Sequence, residues 1–322
     1  MFSKFNFILI GFFALNLLLP SPITAETFPE KPITLIVPFP PGNPTDIVGR
    51  ALAEGVKKHL PKPVVVVNRP GASGTIGMAE VVQAKPDGYK IGIGAVAIFA
   101  VHPHMTALPY KTPDDYLPLM KLVTLQVVLC SRSDAPWKNA QELIEYARAN
   151  PGKLKVGVPG FGTILHLDLE QLKILAKVDF TNVPFEGPQQ IPALLGGHVD
   201  IALAHPAVIL PHVQAGKIRV LGVFQKARNP LFPEAPTFKE LGYDVTLGVY
   251  YFLILPKGTP QPITDTLHEA FKKALAEPAF VTLMKNSLID VDYQGPEAIS
   301  AELWASYEQC RKLVEHLGLK KK

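Results

Sequence analysis

The sequence predicts two doubly wound α/β domains that face each other across a ligand cleft. Three observations carry this reading. Short apolar runs alternate with amphipathic ones along most of the chain, from "ITLIV" before "TDIVGRALAEGVKKHL" to "VDIALA" and "IRVLGV". Strands without a polar face, separated by helices, indicate βαβ units and parallel sheet covered on both sides. The alternation breaks after "YKIGIGA" and resumes at "LQVVLC", which makes two sheets rather than one. Finally, 322 residues are enough for two compact domains with cores of their own.

The first 25 residues are set apart from those domains. "MFSKFNFILIGFFALNLLLPSPITA" joins Lys4, a long apolar stretch, two prolines and the end Ile23-Thr24-Ala25. This is the pattern of a cleaved signal peptide over residues 1–25, with Glu26 as the first mature residue. The apolar run is interrupted before the roughly 20 residues a membrane span needs, and no cysteine stands at the cleavage site for a lipid. A secreted chain is expected, periplasmic in a Gram-negative cell. The net charge is +4. With no block of like charges, the chain gives no case for nucleic acid. Cys130 and Cys310 are the two cysteines. An oxidising compartment permits a bridge, but "QVVLC" reads as a buried strand and "YEQC" as one helix face, so two separate core thiols are expected.

The elements follow in order. The first unit has an apolar run Ile33–Val37 and a helix opening at Thr45 and Asp46, then "PVVVVN" before "GTIGMAEVVQA", then the turn "KPDG" and "YKIGIGA". The second unit has "LQVVLC", the helix "NAQELIEYARAN" stopped by Asn150-Pro151-Gly152, "LKVGV", a helix led by Thr163, and the strands "VDIALA" and "IRVLGV". "ARNPLFPEAPTF" is a proline-rich surface loop. After "TLGVYYFLILP" the chain turns helical, with a start at Pro260-Gln261-Pro262. That tail returns to complete the first domain. The expected division is therefore 26–124 with 250–322, and an inserted domain 125–249, joined by extended crossings near Leu125 and Tyr250 that act as a hinge. Ligands of such sheets bind beyond the carboxyl ends of the strands, so the cleft is the expected site.

Two loops have the design of anion sites. "VPFPPGNPTDIVGR" stiffens a strand-to-helix turn with Pro38, Pro40 and Pro41, which fix φ and donate no N–H. Gly42 permits close approach, and Asn43 or Thr45 caps a helix whose first N–H groups point outward. A positive helix end with free donors favours an anion. The plain alternative is a proline-stiffened turn. "VGVPGFGTILHLDLEQL" repeats the design with Gly160, Phe161, Gly162 and Thr163; its alternative is an ordinary tight turn. His166, one turn into that helix, either reaches a ligand or is a satisfied histidine. His205 stands at the carboxyl end of "VDIALA" and is a cleft candidate. "GIGAVA" half-matches a dinucleotide fingerprint but no long helix follows. "GASGT" lacks the second glycine of a nucleophile elbow. His102 and His104 have no partner cluster for zinc. No catalytic residue, cofactor site or metal set emerges.

"FPEKPITLIVPFPPGNPTD", "VVVVNRPGASGTIG", "KPDGY", "ANPGKLKVGVPGFGT", "LLGGHVDIALA" and "AGKIRVLGV" together resemble the tripartite tricarboxylate transporter receptors, the Bug or TctC family. The motifs span nearly the whole mature chain in order. The resemblance implies a periplasmic-binding-protein (Venus flytrap) architecture and a solute-binding receptor without enzymatic activity. It further implies small carboxylate ligands handed to a permease of large and small membrane subunits. It places two carboxylate-gripping loops at Pro41–Asp46 and Gly160–Thr163, and a third loop at Ala95–Ala100. Ligand-binding candidates are then Phe39, Pro41, Gly42, Asn43, Thr45, Asp46, Ala95, Val96, Gly160, Phe161, Gly162, Thr163, His166, His205 and Tyr250. Phe39, Phe99, Phe161 and Tyr250 either line an aromatic-sized pocket or belong to the core. The chain departs from the family at Asn43, where a second glycine is usual, and at Ala204, where an acid is usual. It also departs at Phe185-Glu186-Gly187 and Val249-Tyr250. Arg69 of "NRPG" is read as a brace between loops. The expected protein is a monomeric receptor. Its alternatives are a ligand sensor of the same fold and a secreted hydrolase or transferase using the cleft.

Overall fold

The computed structural model describes residues 28–185 and 189–319. The leader expected over residues 1–25 lies outside the described residues, as do Glu186 and Gly187.

Two separate sheets organise the chain. In the first, β1 (Ile33–Val37) lies between β2 (Val64–Asn68) and β3 (Lys90–Ala95), all parallel. Beyond β3 come β10 (Val249–Pro256), β4 (Tyr116–Leu125) and β11 (Asp290–Gln294), each antiparallel to the strand before it. In the second sheet β7 (Thr181–Pro184), β6 (Lys155–Val158) and β8 (Ile201–Ala204) are parallel. There β5 (Val128–Arg132) runs antiparallel to both β8 and β9 (Ile218–Val223).

Both sheets are thus mixed, where the sequence predicts parallel ones. The reason is that a strand covered on both faces carries the same apolar pattern whichever way it runs. β4 takes the chain out towards the second sheet and β10 brings it back, so the two lie side by side in opposite directions, with Leu125 opposite Val249.

Local chemistry sets the helix starts. Asn43 caps α1 (Pro44–Gly55), with Pro44 at the first helical position, where its missing N–H costs nothing. Asn139 caps α5 (Ala140–Ala149) and Thr163 caps α6 (Ile164–Ala176), each accepting from the backbone N–H three residues on; such a cap stabilises by about 1 kcal/mol. α2 (Thr75–Val82) follows β2, and α3 (Val96–Ala100) and α4 (His102–Met105) follow β3. α7 (Gln190–Leu195) and α8 (Pro206–Gln214) flank β8 in sequence. The tail helices α9 (Gln261–Leu275) and α10 (Pro278–Asn286) pack on α1, while α11 (Pro296–His316) covers α3 and β4. α11 also touches α6, whose residues from Ile164 to Glu170 are all buried. Cys130 and Cys310 are buried and unpaired, and burial pushes both thiols up to about 12.

Candidate ligand-binding cleft

A cavity of about 450 Å³ lies where the carboxyl ends of four strands converge. Phe39, Gly42 and Asn43 follow β1; Val96 and Ala97 follow β3 and its last residue, Ala95. From the second sheet come Pro159, Thr163, Ile164 and Leu165 after β6, and His205 and Val208 after β8. Val249 and Tyr251 of β10 complete the wall.

The first loop holds an anion of its own. Asp46 is buried at the start of α1. Its Oδ2 accepts from the Gly42 N–H at 2.9 Å and from Arg50 Nε at 3.0 Å, and its Oδ1 accepts from Asn68 Nδ2 at 2.9 Å. Burial alone would raise its pKa, but hydrogen bonds from Arg50, Gly42 and Asn68 outweigh it and hold the carboxyl below its usual range. The other donors are also used: Asn43 N–H by the Pro40 carbonyl, Thr45 N–H by Asn43 Oδ1, and Asp46 and Ile47 N–H by the Asn43 carbonyl. Pro41–Asp46 is therefore not the ring of free backbone donors that the sequence suggests. Pro41 has no N–H, and Thr45 and Asp46 are buried; none of the three lines the cavity, whereas Gly42 and Asn43 do. Gly42 sits at φ +82°, a left-handed conformation that glycine adopts without strain. The donor this loop presents is the side-chain NH₂ of Asn43, whose Oδ1 is committed to the cap.

The second loop is different. Gly160 N–H bonds to the Val158 carbonyl, and Gly162 N–H reaches His166 Nδ1 at 3.3 Å. Because Nδ1 accepts, the neutral imidazole carries its proton on Nε2, 3.7 Å from Glu170 Oε1. Burial lowers the His166 pKa, and Glu170 works against that. His166 thus shapes the loop from behind rather than reaching a ligand. Gly162, at φ +72°, would bring a Cβ within 3.2 Å of Met105 Sδ. Phe161 is half exposed, its ring edge-on to His166. Gly160, Phe161, Gly162 and His166 stand outside the cavity wall, and Thr163 stands on it. Among the described residues, the N–H groups of Thr163, Ile164 and Leu165 have no hydrogen-bond partner. All three border the cavity. The positive end of a thirteen-residue helix therefore opens onto the cleft with unsatisfied donors.

His205 lies on the wall, its Nδ1 donating to the Gln126 carbonyl at 2.7 Å; burial lowers its pKa, so the imidazole is neutral and Nε2 is left as an acceptor. Tyr250 is the one candidate displaced by strand register. Its hydroxyl pairs with Ser306 at 3.0 Å on the α11 side, and the next residue, Tyr251, lines the cleft instead. Phe99 is core, stacked among Tyr110, Tyr116 and Phe252. The sequence reading also missed Gln190, which is buried on the wall. Its Nε2 donates to the Leu203 carbonyl at 3.0 Å, and its Oε1 has no partner. Among the described residues, no group of three or more His, Cys, Asp or Glu is placed to hold a metal ion. Arg69 lies away from the cleft and pairs with Glu80 of α2 at 3.3 Å.

A family model described as a tripartite tricarboxylate transporter family receptor matches residues 48–319. The chain belongs to that family. The family is one of transporter receptors, not enzymes, and the receptor's two mixed sheets are the periplasmic-binding-protein fold. The receptor is 36% identical over 309 residues to a protein encoded in the gbd 5′ region of Cupriavidus necator, covering 94% of this chain and 92% of that one. It is similar to the crystal structure of a TctC solute-binding protein from Polaromonas without ligand, at 32% identity and a TM-score of 0.80, covering 90% and 100% of the two chains. It is also similar to MatC from Rhodopseudomonas palustris with bound malate, at 29% identity and a TM-score of 0.75, covering 89% and 100%.

Proposed function

We propose that the protein is a periplasmic receptor that captures a small carboxylate between its two sheets and delivers it to a tripartite tricarboxylate-type permease of large and small membrane subunits. The observation that carries this reading is the set of three unsatisfied N–H groups where α6 meets the cavity. A carboxylate there gains the N–H groups of Thr163, Ile164 and Leu165 from one side and the Asn43 amide from the other. Each hydrogen bond to a charged group contributes about 1.5–3 kcal/mol. Four of them contribute about 6–12 kcal/mol, and the upper end of that range, less an association cost of about 4 kcal/mol, reaches micromolar affinity, about 8 kcal/mol. A relative of the same fold has malate, a small carboxylate, bound. The bodies that close on the ligand are residues 26–124 with 250–322, and 125–249. The receptor works as a monomer, exported by a signal peptide over residues 1–25.

A thermal-shift screen of the chain from Glu26 tests this, pairing each carboxylate with its uncharged amide. At a hundredfold excess over Kd, a ligand stabilises by about 2.7 kcal/mol, a rise of several degrees. The acid should raise Tm and its amide should not. A screen in which no carboxylate raises Tm, or in which acid and amide act alike, contradicts the proposal.

A further inference from the structure

Resting on that reading, we infer that the captured carboxylate also carries a hydroxyl group, read at the carboxyl end of β8 by His205 beside Gln190. Donors are spread over the rest of the wall: the N–H groups at the start of α6, those of Val96 and Ala97, and the Asn43 amide. These suit the oxygens of an acid, and the Tyr251 hydroxyl serves either way. The free side-chain atoms of the wall that only accept stand together at β8. His205 Nδ1 donates to the Gln126 carbonyl at 2.7 Å, which leaves Nε2 as an acceptor without a partner among the described residues. Burial lowers the pKa of this imidazole, with the Gln126 carbonyl working against that. Gln190 reaches the same strand end. Its Nε2 donates to the Leu203 carbonyl at 3.0 Å, and its Oε1 is buried with no partner. Buried acceptors left unpaired are costly, so this end of the wall is complete only with a donor from the ligand.

Charge selects a hydroxyl over an ammonium. Among the described residues the wall has no aspartate or glutamate, so an ammonium there loses its water without gaining an opposite charge from the protein. A neutral hydroxyl donates to His205 Nε2 and brings no charge to be buried. A plain hydrocarbon body leaves that nitrogen unpaired once the cleft closes. An acid with one carboxylate or with two meets the same requirement.

Calorimetric titration of the chain from Glu26 tests this with acids that differ in one group. Butyrate is compared with its hydroxy and amino derivatives at each carbon of the chain, and succinate with malate and aspartate. At least one hydroxy acid should bind about tenfold more tightly than its parent, and more tightly than its amino counterpart. In His205→Phe, which keeps a ring but has no acceptor, that preference should fall to within about twofold. Parents or amino acids that bind as tightly as every hydroxy acid overturn the inference and leave carboxylate capture standing. A preference unchanged in the folded variant does the same. So does proton uptake on binding that is absent from His205→Phe, read from buffers of different ionisation enthalpy, because a charged His205 is a donor. No binding by any acid overturns both. The wild-type series decides the matter even if the phenylalanine variant fails to fold.

Discussion

Asp46 shows how a residue that looks like a ligand contact can be part of the scaffold. It stands at the positive end of α1, where the sequence suggests an incoming anion, and is itself that anion. Because its folded pKa is lowered, it stabilises the protein above its unfolded value, about 3.9, and that stability is lost as pH falls through the folded value. Asp46→Asn should therefore lower Tm at pH 7, and the gap to wild type should narrow as pH drops below about 4. Melting curves across that range check it, and a gap that does not change with pH would remove the charge from the account. Position at the cavity was legible where backbone position decides: Phe39, Gly42, Asn43, Ala95, Val96, Thr163 and His205 all border the cavity because each lies at or just after a strand's carboxyl end. It failed where side-chain direction decides. Every residue of β10 is buried, so nothing in "VYYF" distinguishes the tyrosine facing α11 from the one facing the cleft. Gln190 was hidden beside Gln189, which is exposed.

At the scale of elements, the second loop and α6 form the operative unit. His166 and Thr163 hold the loop, and Asp168, buried further along the helix, accepts the Leu247 N–H at 3.2 Å just before the return strand. α6 is thereby tied to the crossing as well as to the cleft. Burial pushes the Asp168 carboxyl well above its usual range, with the Leu247 N–H working against that. Its donors can be tested one at a time. Ile164→Pro removes one cleft-facing N–H at the first helical position, where proline fits, and Thr163, at φ −81° and ψ 159°, already has the conformation proline asks of its predecessor. The variant should bind its best carboxylate at least tenfold more weakly, about 1.4 kcal/mol. It should still melt cooperatively, with some loss of Tm from the missing side-chain packing. Wild-type affinity in a folded variant would contradict the role given to this N–H. Helix positions were legible in the sequence because capping residues and prolines mark them. The accounting of donors was not, since it depends on Asp46 and His166 folding back onto their own loops.

Over the whole molecule, the two sheets are linked by chain segments that lie together at the cavity's edge. Leu125 faces Val249 across the β4–β10 pair. Gln126 gathers contacts from all sides, donating to Asp290 and accepting from Asn229 and His205. On the proposed division of the chain, this crossing is where the halves hinge on a ligand. The alternation of strands and helices revealed that there are two sheets. It did not reveal strand direction, because that depends on which strands make the crossing. The most direct test of carboxylate capture is an amide NMR titration of the isotope-labelled receptor with its best carboxylate from the screen. The account predicts that the N–H signals of Thr163, Ile164 and Leu165 move downfield, and that Gln126, Val127 and Gly248 shift along the same saturating curve as the halves close. Unmoved signals at the start of α6, with saturable shifts at some other surface, would contradict it.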